Sequence, residues 1–90
     1  MNKQRRKDIT DLVERVKAVI ETLNDALGDI ESIKGEEEEA FENMPEGLQE
    51  SEAGQRAQES AEALSEAYGT LESLLDTLEE VTTSLETAAE

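Results

Sequence analysis

Apolar residues recur every seven positions along most of this chain, and the recurrence is broken only once. Counting from Ile9 gives Ile9, Val16, Leu23, Ile30 and Glu37. Three positions further on stand Leu12, Val19, Ala26, Ile33 and Ala40, and one beyond those Val13, Ile20, Leu27, Lys34 and Phe41. A second set starts at Ala57 and continues through Leu64, Leu71, Leu78 and Leu85, with Ala67, Leu74, Val81 and Ala88 three further on and Ala61, Tyr68 and Leu75 beside them. Such spacing belongs to a helix that lays one stripe against a partner helix. The break coincides with the only proline, Pro45, which disfavours helical angles at Met44; Gly47 follows, and Ser51 suits a helix N-cap.

The pattern predicts a single all-α domain over residues 1–90: a helix over about 3–43, a turn over about 44–50 and a second helix over about 51–88, packed as an antiparallel, coiled-coil-like hairpin. With the turn centred on Gly47, the expected register sets Ile9 against Leu85, Val16 against Leu78, Leu23 against Leu71, Ile30 against Leu64 and Glu37 against Ala57. The basic start then falls beside the acidic end, Arg56 beside Glu37 or Glu38, and Phe41, Met44 and Leu48 plug the tip.

The first stripe is three positions wide, whereas one partner helix covers about two. Val13, Ile20, Leu27, Tyr68 and Leu75 are therefore expected at an interface with a second copy, giving a homodimeric four-helix core. Gly28, Gly35, Gly54 and Gly69 each cost about 1 kcal/mol inside a helix. They are expected to be close-packing points or soft spots.

Composition narrows the chemistry. The chain has no Cys and no His, so disulfides, thiolate metal sites and the commonest catalytic base are excluded. Its serines have no base to activate them, and a narrow hairpin offers no pocket to push two carboxylates apart in pKa. No catalytic residue, cofactor or metal ligand is expected. Four consecutive acids, Glu36, Glu37, Glu38 and Glu39, point in four directions on a helix and lack the ligand spacing of a calcium loop. The longest apolar run, Ala18 to Ile20, is far short of the roughly 20 residues that span a bilayer, so no membrane contact is expected. The basic start is followed by Asp8 and an amphipathic pattern, unlike a signal peptide, and a cytoplasmic location is expected.

Formal net charge is -16, although residues 1–17 carry six Lys or Arg against three acids. Such a surface repels nucleic acid and attracts a basic protein. Acids three or four apart are neighbours on a helix, so Glu59, Glu62 and Glu66, and Glu72, Asp76, Glu79 and Glu80, form rows of negative charge. Two copies spread over about 55 Å of helix would carry roughly one charge per 1.7 Å, the axial charge spacing of duplex DNA. The rows, with Glu36 to Glu39, are the expected binding surface for a basic partner. The same acids could serve only as a solvated face, and the apolar seam could itself be the working surface of a scaffold component.

The run EEEEAFENMPEGLQESEAG, residues 36–54, resembles a group of small acidic proteins encoded by bacteriophages and prophages. In that group a Glu-rich helix end likewise runs into an aromatic, Asn, Met or Leu, Pro, then Leu-Gln and a Ser-Glu start. The resemblance implies a bacterial host cell and a host-directed or defence-directed inhibitor that imitates DNA; it implies no chemistry. Length, hairpin and acidity are also similar to the small secreted hairpins marked by a Trp-x-Gly turn, but the Trp is missing and Tyr68 falls inside the second predicted helix.

Overall fold

The computed structural model describes residues 2–90. Three helices follow in order: α1 (Lys3–Glu42), α2 (Glu46–Gln49) and α3 (Glu52–Ala89). The chain is a helical hairpin in which the long helices α1 and α3 pack against each other, and the described residues contain no strand. Both long helices end within two residues of the bounds expected from the apolar periodicity.

Local chemistry accounts for the ends. Asn2 accepts a hydrogen bond on its side chain from the Arg5 amide, 2.8 Å, which satisfies one of the orphan donors of the first turn of α1. At the other end, the Gln49 side-chain amide donates to the carbonyls of Phe41 and Met44, both 3.2 Å, and so satisfies two acceptors where α1 runs out. Pro45, with φ -56° and ψ 146°, turns the chain into the single turn of α2, closed by Leu48 N–H to Pro45 C=O at 2.8 Å. The Gly54 amide donates to the Ser51 hydroxyl at 3.4 Å, which places Ser51 as the cap of α3. Gly54 itself is buried, and a Cβ there would collide with the backbone carbonyls of Leu48 and Gln49. The close approach of α2 to α3 thus requires glycine. Gly28, Gly35 and Gly69 have open space where a side chain would be.

The chain divides into two compact units: an open-end unit of residues 1–25 with 71–90, and a turn-end unit of residues 26–70. In the open-end unit the seam consists of Ile9, Val13, Val16, Ile20 and Leu23 against Leu71, Leu75, Leu78, Thr82, Leu85 and Ala89, the positions with reduced exposure. Val13 and Leu75 are the most buried at 4% and 6%, and the Thr82 hydroxyl is satisfied by the Leu78 carbonyl at 3.1 Å. In the turn-end unit the seam continues the same alternation of four and three residues, through Leu27, Ile30, Lys34, Glu37, Phe41 and Met44 on α1 and Ala57, Ala61, Leu64 and Tyr68 on α3.

Two expectations change. Val13, Ile20, Leu27, Tyr68 and Leu75, expected to meet a second copy, are turned into the hairpin's own seam. The column three positions on is left outside instead: Leu12 is 39% exposed, Val19 51%, Ile33 48%, Leu74 47% and Val81 41%. The aromatic rings explain the choice in the turn-end unit, since Phe41 and Tyr68 both lie in the column that is buried, and a ring removes more apolar area than the Ala40 and Ala67 beside it.

The register also differs. Lys17 Nζ lies 3.9 Å from Glu86 Oε2, whereas the expected register sets Lys17 opposite Thr77, about 13 Å of helix rise away. In the turn-end unit Phe41 shares a groove with Ala57 and Ala61, not with the Ala53 that the expected register places opposite it. The facing residues are thus offset by about four positions from the expected register, although the connection, residues 43–51, is still centred on Gly47. The tip differs accordingly. Phe41 and Met44 are half-buried, but Leu48 on α2 is 53% exposed and takes no part in a plug. Arg56 pairs with Glu52 of its own helix at 3.2 Å, and Lys34 with Glu38 at 3.5 Å.

Substitution should separate the seam from its flank and the tight glycine from the loose ones. Leu75→Ala should cost about 2–4 kcal/mol in denaturant unfolding, and Leu74→Ala less than about 1 kcal/mol. Gly54→Ala should destabilise by more than about 1 kcal/mol, whereas Gly69→Ala should stabilise by up to about 1 kcal/mol.

Candidate protein-interaction faces

Each long helix carries two seam columns, and each seam is flanked by two more columns, one on either side. On one flank of the open-end unit, Thr10 and Lys17 of α1 share a groove with Glu86 of α3. The same heptad column on α3 holds Glu72 and Glu79, both exposed. This flank is polar. The opposite flank consists of Leu12 and Val19 on α1 and Leu74, Val81 and Ala88 on α3, all exposed. In the turn-end unit the corresponding columns meet, for Ala40, Ala53 and Ser60 line one groove together with Met44, Ala57, Glu37 and Arg56.

The acids follow this division. Every acid of α3 sits on the polar flank or on the outer surface away from the seam: Glu52, Glu59, Glu66 and Glu80 in one column, Glu62 and Asp76 in a second, Glu72, Glu79 and Glu86 in a third. The two remaining columns beside the apolar flank contain none; they hold Ala, Ser, Thr, Leu and Val, with Arg56 as their one charge. On α1 the separation is weaker, because Asp8, Asp29 and Glu36 border the apolar flank, but Arg5 and Arg15 border it too.

Of the acids expected to meet a basic partner, Glu36, Glu38, Glu39, Glu59, Glu62, Glu66, Glu72, Asp76, Glu79 and Glu80 are all exposed, and Glu37 is half-buried in the seam. In the turn-end unit, Glu38, Glu42 and Glu62 converge on one groove whose floor is formed by Phe41, Ala57 and Ala61. In the open-end unit, Glu72, Asp76, Glu79 and Glu80 follow one another along a little over two turns of α3. Among the described residues no three acids converge on a point that could hold a metal ion. Glu36 to Glu39 fan around α1 as four consecutive positions on a helix must. No helix among the described residues is long and apolar enough to cross a membrane.

The acid-free columns of α3 are legible in the sequence when its acids are sorted by heptad position and not merely by spacing along the chain. No protein-family model, curated protein or solved structure matches this chain.

Proposed function

We propose that this chain is a non-enzymatic, acidic protein-binding module, encoded by a phage, that occupies the nucleic-acid-binding surface of a basic host or defence protein in the manner of a DNA mimic and inhibits or modulates it. It acts as a homodimer in the bacterial cytoplasm. The observation that carries the reading is the placement of every α3 acid on exposed columns away from the apolar flank. The acids of this 38-residue helix form one continuous anionic face, which supports the reading because a basic cleft meets a line of charges from one side.

Salt dependence follows from that mode of binding. Each partner cation neutralised by a carboxylate is screened beyond about 8 Å at physiological ionic strength, so affinity falls steeply as salt rises. Imitation of DNA also requires that duplex DNA and this chain compete for the same protein. A second reading is favoured by the exposed Leu12, Val19, Leu74 and Val81: an assembly component that works through apolar contacts and uses its charge only for solubility.

The two readings part in one experiment. The chain is immobilised, basic proteins are captured from bacterial lysate, and the bound fraction is eluted with rising salt and then with duplex DNA. On the proposed function, a nucleic-acid-binding protein elutes with salt and with DNA, and the triple reversal Glu72→Lys, Asp76→Lys, Glu79→Lys weakens its binding at least tenfold. Retention that is indifferent to salt and to the triple reversal would overturn the proposal in favour of the apolar reading.

A further inference from the structure

We infer that the apolar flank of the open-end unit, formed by Leu12, Val19, Leu74 and Val81, is a self-association surface and that its occupant is the same flank of a second copy of this chain. The inference specifies the pairing surface of the proposed homodimer, and it stands apart from whatever the acidic columns bind.

Charge identifies the occupant. The chain carries -16, yet Asp8 is the one acid of the open-end unit that borders this flank, and Arg5 and Arg15 border it with opposite sign. The α3 side of it is uncharged, with Thr77 and Ser84 next to Leu74 and Val81. Two such flanks can therefore approach without the repulsion that the acidic columns of α3 would meet against each other. Arg15 has no ion-pair partner among the described residues, and Asp8 has only a hydrogen bond from Gln4, 2.9 Å. Both are free to pair across a two-fold contact, in which each residue of one copy must find its complement on the other. A basic partner would instead be drawn to the acidic columns on the far side.

Area points the same way. The chain exposes 6599 Å², whereas a compact monomer of 9.9 kDa exposes about 5200 Å². The excess exceeds the roughly 800 Å² that each partner contributes to a standard interface. Among the described residues no large side chain is fully buried, and the buried apolar residues are Val13, Ala57 and Leu75. A second copy laid on this flank would convert a two-helix seam into a four-helix core, which is the arrangement that a three-column stripe serves.

The test is sedimentation equilibrium on the purified chain alone, so that its outcome does not depend on any basic partner. The parent should sediment at twice 9.9 kDa, and the double variant Val19→Glu, Val81→Glu at 9.9 kDa while keeping its helical circular dichroism. A control substitution on the polar flank, Asn24→Glu, should leave the mass doubled. Should the double glutamate variant lose its helix signal, Leu74→Ala with Val81→Ala, which adds no charge, should still raise the dissociation constant at least tenfold. A parent that stays at 9.9 kDa up to millimolar concentration, or variants of this flank that pair as tightly as the parent, would overturn the inference.

Discussion

Two helices joined by a short connection can share only one seam, and each can place only two of its seven columns in it. Everything else in this protein depends on which two. The buried pair alternates by four and three residues on both helices, from Ile9 to Met44 and from Ala57 to Ala89. That choice rotates α1 and α3 about their own axes and thereby decides which residues face water on each flank. It makes one flank polar, where Lys17 meets Glu86, and leaves the other lined by Leu12, Val19, Leu74 and Val81. The ion pair is half-exposed on both sides and contributes at most about 1 kcal/mol. Burial of the apolar columns therefore sets the rotation, and the charges comply with it.

The connection has a comparable influence through a different interaction. Gln49 caps the carbonyls that α1 leaves open, Ser51 caps α3, and Gly54 lets the backbone of α2 lie directly on the start of α3. These contacts hold α2 as a helical turn, and that turn sets the length of chain between the long helices. The connection so held, residues 43–51, is centred on Gly47.

Charge is distributed unequally around the same frame. An acidic chain could scatter its carboxylates over all solvent-facing columns and remain soluble. Here α3 keeps them to three columns and reserves two for small and apolar side chains. The result on α3 is one side lined by carboxylates and one lined by small and apolar side chains. In the turn-end unit Glu38, Glu42 and Glu62 line one groove, while the groove of Ala40, Ala53 and Ser60 also holds Glu37 and Arg56.

The sequence by itself determined the helices, their ends, the antiparallel hairpin and the exposure of the acid rows, because seven-residue periodicity, Pro45 and the Ser51 cap act locally. It also contained the acid-free columns of α3, visible once residues are sorted by heptad position. Only the tertiary structure decided which of two equally apolar columns is buried, and in what register. The column of Leu12 and Val19 and the column of Val13 and Ile20 differ by a single residue, about 100° of rotation, and both satisfy the periodicity. The partner helix chooses between them, because burial is a property of two surfaces meeting and neither helix carries that information alone.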